Sequence, residues 1–209
     1  MINTFSFGSY ILVYNGQIYN TKELSETLKE NGFTLNSHSD TEVLLKSYIH
    51  YGKNVVNHLN GIFAFAIWDT NNNEIFLARD HFGVKPLFYT KIDETLVFSS
   101  EIKALFQYPG VKKVLNEQSI SELFGIGPAH TSGTTVFKNI YEIKPAHFGI
   151  FNKNGFNIKR YWKLKSEKHV DTFEETCEKL KFLLNDAITR QLVSDMPLCT
   201  FLSGGLDSS

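Results

Sequence analysis

Residues 62–79 read IFAFAIWDTNNNEIFLAR, two apolar runs joined by a short polar segment. The runs at 62–68 and 74–79 are rich in aromatic and β-branched residues, which are favoured in strands. The segment between them holds Asp and three Asn, residue types that are common in turns. The stretch therefore predicts an antiparallel hairpin in the first part of the chain.

Strand and helix signals alternate on both sides of this hairpin. Further strands are predicted at 9–14, 86–91, 95–99, 146–151 and 156–164. Ser39 and Glu42 have the spacing of a capping box at a helix start. Asn20 and Glu23 repeat that spacing, so a helix is predicted from each position. Hairpins mixed with helices predict an α+β layout for residues 1–165.

The pattern changes after residue 166. Thr172 and Glu175 form another capping-box pattern, and apolar residues at helical spacing follow it. An apolar stretch at 198–202 then leads into Ser203-Gly204-Gly205. A strand that feeds a glycine turn can present successive N–H groups to a phosphate. We therefore assign residues 166–209 to the beginning of a second, α/β domain.

The composition excludes several classes of function. The net charge is −1, which gives no electrostatic attraction to nucleic acid or to an anionic membrane surface. No apolar run approaches the roughly 20 residues of a membrane span, and residues 1–7 do not resemble a signal peptide. Two cysteines argue against a disulfide framework and predict a reducing, cytoplasmic location. The seven histidines show no metal-ligand spacing, so no metal site is predicted.

Five segments resemble the blocks of one enzyme family. VYNGQIYN at 13–20 is similar to the Tyr-Asn-Gly-Glu-Ile-Tyr-Asn segment of class II glutamine amidotransferases. SDTE at 39–42, ARDHFGVKPLFY at 78–89 and FSSEIKAL at 98–105 resemble three further blocks. LSGGLDSS at 202–209 resembles the pyrophosphatase loop of ATP-dependent amide-forming enzymes. In this order the segments resemble glutamine-hydrolysing asparagine synthetase over nearly the whole chain.

The resemblance implies a fold and two coupled reactions. The fold is an N-terminal-nucleophile-type four-layer sandwich of two antiparallel sheets flanked by helices, incomplete here, followed by the start of an α/β ATP-pyrophosphatase domain. An N-terminal cysteine attacks the side-chain amide of glutamine and releases ammonia. ATP adenylates aspartate with release of pyrophosphate, and ammonia displaces AMP to give asparagine. Glutamine, aspartate and ATP are the implied small-molecule partners, with Mg²⁺ beside ATP, and a homo-oligomer stays open.

The resemblance also implies roles for individual residues in glutamine binding. Asn15 and Gly16 match the family's oxyanion hole, although Asn-Gly between apolar runs by itself favours a turn. Asp40 matches the carboxylate that binds the α-ammonium of glutamine, although its position by itself favours a helix cap. Gln17 stands where the family has Glu. A neutral amide cannot pair with an ammonium by charge, so weaker recognition of that group is predicted.

The nucleotide loop is assigned in the same way. Its implied ATP-binding residues are Leu202, Ser203, Gly204, Gly205, Asp207 and Ser208. Unlike a Walker loop it contains no lysine, so the resemblance implies that Mg²⁺ and basic residues elsewhere balance the phosphate charge. We expect neither ATP nor Mg²⁺ to bind tightly to this chain alone.

The chain departs from the family at the nucleophile. Met1 and Ile2 stand where a cysteine is expected, and Cys177 and Cys199 fit ordinary packed positions better. The family's arginine for the glutamine carboxylate also has no counterpart. We therefore expect a fragment that is inactive by itself. The alternatives are a non-catalytic remnant, a glutamine-binding or interaction module, and a piece of a relative similar to β-lactam synthetases.

Overall fold

The chain is described by a computed structural model over residues 3–127, 131–193, 197, 199 and 203–205. The contacts between residues divide the chain into two units, Met1–Leu164 and Lys165–Ser209. The strands are β1 (Asn3–Phe7), β2 (Tyr10–Ile18), β3 (Gly61–Asp69), β4 (Glu74–Arg79), β5 (Phe88–Ile92), β6 (Thr95–Ser99), β7 (Tyr141–Glu142), β8 (His147–Asn152) and β9 (Gly155–Arg160). The α-helices are α1 (Thr21–Glu30), α2 (Asp40–Tyr51), α3 (Ile102–Leu105), α4 (Glu117–Ile126) and α5 (Phe173–Gln191), and a 3₁₀ helix spans Gly52–Asn57.

The strands of the first unit form two antiparallel sheets. The larger sheet has the order β1-β2-β3-β4-β8-β9, and the smaller has the order β6-β5-β7. The hairpin predicted at 62–79 is confirmed, with Asp69 paired to Glu74 at its end. The Asp69 carboxylate accepts the backbone N–H groups of Asn71 and Asn72, which closes the turn locally. Two antiparallel sheets with helices confirm the α+β prediction.

The larger sheet is covered on both faces. Phe63, Phe65 and Ile67 of β3 join the core that also holds apolar residues of α1 and α2. The alternate residues Ala64 and Ala66 join a second core formed with β5, β6 and the residues around β7. Small side chains on the second face let the two sheets approach. A strand covered on both faces reads as continuously apolar, which explains the run at 62–68.

Two helix starts differ from the predicted capping boxes. The Asn20 side chain makes no cap hydrogen bond; its amide donates to the His58 carbonyl at 2.8 Å, and its oxygen accepts from Asn60 N at 2.9 Å. It therefore ties the start of α1 to the segment before β3. At α2 the cap is Ser39 as predicted, and its hydroxyl accepts from Thr41 N at 3.3 Å. The Glu42 carboxylate does not close the box, because it accepts from Asn36 N and Ser37 N instead.

The second unit is described mainly by α5. Its capping box is confirmed: the Thr172 hydroxyl accepts from Glu175 N, and the Glu175 carboxylate accepts from Thr172 N. The apolar side chains of α5 that were expected to pack are exposed within the described structure, Leu183 by 59% and Leu184 by 60%. Among the helices that the structure describes, none has both the length and the apolar character that crossing a bilayer requires.

Glu42 and Lys46 form a buried ion pair on α2. Lys46 Nζ lies 2.5 Å from Glu42 Oε1, and both side chains are almost fully buried. The Glu42 carboxylate also accepts the backbone N–H groups of Asn36 and Ser37, and the Lys46 ammonium donates to the Thr34 carbonyl. Burial raises the pKa of Glu42, but these donors outweigh it and lower the pKa from 4.5 to about 2. The pair thus holds the loop at 34–37 against α2 through hydrogen bonds.

We expect Glu42→Gln to make stability much less dependent on acid. A carboxyl whose folded pKa is depressed stabilises the fold fully above its unfolded pKa and loses that contribution as the pH falls toward the folded pKa. Between pH 6 and pH 2.5 the advantage of the wild type over Glu42→Gln should therefore shrink by about 2–3 kcal/mol. Urea unfolding at several pH values measures this. Glu30→Gln, at an exposed position, serves as the control, and a constant difference between wild type and Glu42→Gln would contradict the argument.

Candidate functional site

The residues predicted to bind glutamine lie along one strand and at the start of one helix. Asn15, Gly16 and Gln17 belong to β2, which runs through the Asn-Gly pair instead of turning there. Asn15 pairs with Ala64 and Gly16 with Phe63 on β3, so the turn that Asn-Gly alone suggests is wrong. The ladder on the neighbouring strand overrides the local preference of this dipeptide.

The Asp40 carboxylate is hydrogen-bonded to the same strand. It is the first residue of α2, and its Oδ2 accepts the Tyr14 hydroxyl at 2.8 Å and Ile18 N at 3.3 Å. A carboxylate at a helix N-terminus is favoured by the helix dipole. Ser39 is the N-cap of α2, and Oδ2 of Asp40 is directed to β2. The structure thus brings Asp40 to the strand that carries Asn15, Gly16 and Gln17.

Tyr14 donates a hydrogen bond to Asp40, and burial determines the protonation state of its hydroxyl. The side chain is 0% exposed. Burial raises the pKa of the Tyr14 hydroxyl, and the nearby Asp40 charge and the hydrogen bond to it raise that pKa further. The hydroxyl therefore stays protonated at neutral pH and acts as a donor to Asp40.

Asn15 faces the space between the two sheets. Its side-chain nitrogen donates to Ser100 Oγ at 3.4 Å, beside a cavity of about 120 Å³. The cavity is lined by Asn15, Ser99 and Ser100 and also by apolar groups such as Leu87 and Phe98. Gln17 is half-buried two residues further along the strand. In a regular strand that spacing places it on the same face as Asn15.

Position 16 requires glycine because there is no space for a side chain. A Cβ at this position would lie 2.2 Å from the Ile62 carbonyl oxygen and 2.8 Å from Phe63 Cα. Gly61 shows the same restriction from the other side, where a Cβ would lie 2.3 Å from the Gln17 carbonyl oxygen. The two glycines therefore let β2 and β3 approach closely beside Asn15. This packing role stands beside the predicted oxyanion role of Gly16.

The predicted nucleotide loop is described only in part. Ser203, Gly204 and Gly205 are exposed in the second unit. Leu202, Asp207 and Ser208 lie outside the described residues, so the ATP-binding assignment stays a prediction. No group of three or more His, Cys, Asp or Glu within the described ranges could hold a metal ion.

Sequence reasoning missed the groups that contact the predicted residues. Tyr14 and the Ile18 amide hold Asp40, and Ser100 accepts from Asn15. Tyr14 is adjacent to Asn15, and strand alternation already places it on the opposite, buried face. No local signal joins Tyr14 to Asp40, because 26 positions separate them in the chain.

The fold is that of N-terminal-nucleophile-type glutamine amidotransferases. A solved glutamine phosphoribosylpyrophosphate amidotransferase from B. subtilis, complexed with ADP and GMP, superimposes with a TM-score of 0.51 at 23% identity, covering 78% of this chain and 31% of that one. The sequence profile described as "Glutamine amidotransferase domain" matches residues 4–162. The chain belongs to this family. A second profile, described as "Asparagine synthase", matches residues 179–209.

Two curated relatives are asparagine synthetases. The chain is 52% identical over 209 residues to asparagine synthetase (glutamine-hydrolyzing) 3 of Bacillus subtilis (strain 168), covering 100% of this chain and 34% of that protein. It is 37% identical over 214 residues to asparagine synthetase (glutamine-hydrolyzing) 2 of the same organism, covering 97% of this chain and 28% of that protein. The chain thus spans about a third of the length of the curated relatives that it matches.

We expect Gly16→Ala to destabilise the first unit by about 2 kcal/mol or more, because its methyl group overlaps the β3 backbone, which cannot move independently. Gly125→Ala is the matched control. Gly125 lies within α4, and a Cβ there meets nothing within 4 Å. That exchange should be neutral or stabilising by about 0.5–1 kcal/mol, since alanine favours a helix interior. Denaturant unfolding of both variants measures the difference, and equal stabilities would refute the close approach.

Proposed function

We propose that the first unit is the glutamine site of a glutamine-hydrolysing asparagine synthetase. The observation that carries the proposal is the attachment of the Asp40 carboxylate to the strand bearing Asn15 and Gly16. The names of the relatives support asparagine formation coupled to glutamine hydrolysis. In the proposed reaction, ammonia from glutamine amidates aspartate at the expense of ATP, giving asparagine, glutamate, AMP and pyrophosphate.

The Asp40 carboxylate is placed to receive an ammonium group. Its Oδ2 is occupied by the Tyr14 hydroxyl and the Ile18 amide. Within the described part of the chain, its Oδ1 accepts one long hydrogen bond, from the Thr41 hydroxyl at 3.4 Å. That oxygen keeps acceptor capacity for the α-ammonium of glutamine, and hydrogen bonds to a charged partner are stronger than neutral ones. With the neutral Gln17 nearby on β2, Asp40 supplies the charge.

Asn15 and Gly16 are proposed to stabilise the oxyanion that forms when the amide of glutamine is attacked. The Asn15 amide nitrogen has two N–H groups, and one of them is directed to Ser100. The second N–H, together with a backbone N–H at Gly16, supplies the pair of donors that such a site needs. The absence of a side chain at Gly16 keeps this part of β2 against β3 and fixes the direction of the donors.

The remaining steps are proposed for a protein of the relatives' full length. Residues 202–209 are proposed to bind the phosphates of ATP with Mg²⁺, aspartate is the proposed acceptor, and the cytoplasm is the proposed location. The division near residue 165 is proposed as the boundary between the two activities. The alternatives of a remnant or a β-lactam-forming relative are not favoured, because the relatives described above are asparagine synthetases.

L-Glutamine should bind the chain through Asp40. In saturation-transfer NMR we expect a signal for L-glutamine with the wild type and an affinity at least about tenfold weaker with Asp40→Asn, since a charge-assisted hydrogen bond contributes about 1.5–3 kcal/mol. Asp93→Asn, at an exposed turn position, should bind like the wild type. Equal signals from wild type and Asp40→Asn would contradict the proposed ammonium site, and no signal from the wild type would contradict glutamine binding by this chain.

The 209-residue chain should release no glutamate from glutamine. Residues 1–164 contain no cysteine. Cys177 and Cys199 are exposed in the second unit, so the expectation that both are packed is wrong. An enzyme-coupled glutamate assay tests this, with the double variant Cys177→Ala, Cys199→Ala as the control. Release above the buffer background that disappears in the double variant would show that one of these thiols serves as the nucleophile.

A further inference from the structure

Tyr14 touches both parts of the proposed glutamine site. Its hydroxyl donates to Asp40 Oδ2 at 2.8 Å. Its ring passes beneath Gly16, where a Cβ would lie 2.9 Å from Tyr14 Cε2. One fully buried side chain therefore contacts the proposed ammonium-binding carboxylate and the glycine of the proposed oxyanion hole.

The two donors on Asp40 Oδ2 fix the orientation of the carboxylate. The Tyr14 hydroxyl and the Ile18 amide come from different parts of β2 and converge on the same oxygen. A carboxylate held at one oxygen by two donors loses its freedom to rotate, so its other oxygen keeps one direction. Asp40 is only half-buried and lies on a different element from Tyr14, so without these donors solvent could hydrogen-bond either of its oxygens.

Burial makes Tyr14 suited to this role. A buried tyrosine hydroxyl needs a partner, and Asp40 is its partner here. The ring is held by the core that contains Leu12, Leu24 and Val43, so the hydroxyl has little freedom to move. Replacing Tyr14 by Phe keeps the packed ring and removes only the donor.

We propose that Tyr14 is a positioning residue that orients Asp40 for the α-ammonium of the amino-acid substrate. The proposal rests on the proposed glutamine site and extends it. Tyr14 does not touch the substrate; it acts through the Asp40 carboxylate. Loss of its hydroxyl should weaken ammonium recognition without removing the negative charge from the site.

The test compares Tyr14→Phe with Tyr161→Phe in the 209-residue chain. Tyr161 is a second tyrosine whose hydroxyl donates inside the first unit, to the Arg79 carbonyl at 2.7 Å. Both variants lose one such hydrogen bond, and Tyr14→Phe should lose more stability because its acceptor is charged, so binding is compared under conditions in which both variants are fully folded. Only Tyr14→Phe should raise the Kd for L-glutamine, by about tenfold. Only Tyr14→Phe should shift the amide resonance of Ile18 in a ¹⁵N–¹H spectrum, because that N–H shares Asp40 Oδ2 with Tyr14.

The two readouts separate the proposals. If the wild type binds no L-glutamine, the proposed function fails, and the Ile18 amide then decides the placement of Asp40 by itself: a shift in Tyr14→Phe supports it and no shift overturns it. If the wild type binds and Tyr14→Phe binds equally well, the positioning role is overturned whatever the amide shows. Equal weakening by Tyr161→Phe also overturns it, because a general loss of stability then explains the effect.

A fluorine label covers the case in which Tyr14→Phe does not fold. The wild-type chain labelled with 3-fluorotyrosine keeps every hydroxyl. Addition of L-glutamine should move the fluorine resonance of Tyr14, through Asp40, and leave that of Tyr161 in place. A Tyr14 resonance that does not move while L-glutamine binds would overturn the proposal.

Discussion

The close approach of β2 and β3 at Gly16 and Gly61 is the constraint on which the site depends. At both positions a Cβ would overlap the backbone of the facing strand. The approach holds β2 and β3, two neighbouring inner strands of the larger sheet, in one register, with Asn15 opposite Ala64. Since side chains alternate along a strand, this register directs Tyr14 toward the helices and Asn15 toward the second sheet. A slip by one residue would exchange the two faces.

The helix layer completes the site from the buried face. The start of α2 places Asp40 within reach of the Tyr14 hydroxyl. Two residues later, Glu42 is turned to the loop at 34–37 and to Lys46. Two carboxylates in one helical turn thus have separate tasks. Glu42 holds the loop that leads into α2, while Asp40, at the start of the same helix, is hydrogen-bonded to β2.

The sequence predicted the elements whose signals are local and redundant. The hairpin at 62–79 formed because apolar runs and an Asx-rich turn agree, and the capping box of Thr172 and Glu175 formed at an exposed helix start. Predictions from the sequence were wrong where a partner distant in the chain competes with the local one. Asn20 binds the segment at 58–60 instead of capping α1, and Asn15–Gly16 continues a strand because β3 supplies the ladder. The contact of Tyr14 with Asp40 joins residues far apart in sequence, so no local pattern could predict it.

Gln17 gives the proposed arrangement added weight. The resemblance implies Glu at this position, whereas this chain has a neutral amide, so in the proposed glutamine site pairing by charge with an ammonium falls to Asp40. A single carboxylate discriminates well only when its oxygens are held in place, because a rotating one offers the substrate no fixed direction. Two donors on Asp40 Oδ2 supply that order from within the core. In the proposed glutamine site, the orientation of the Asp40 carboxylate is therefore the main determinant of ammonium recognition.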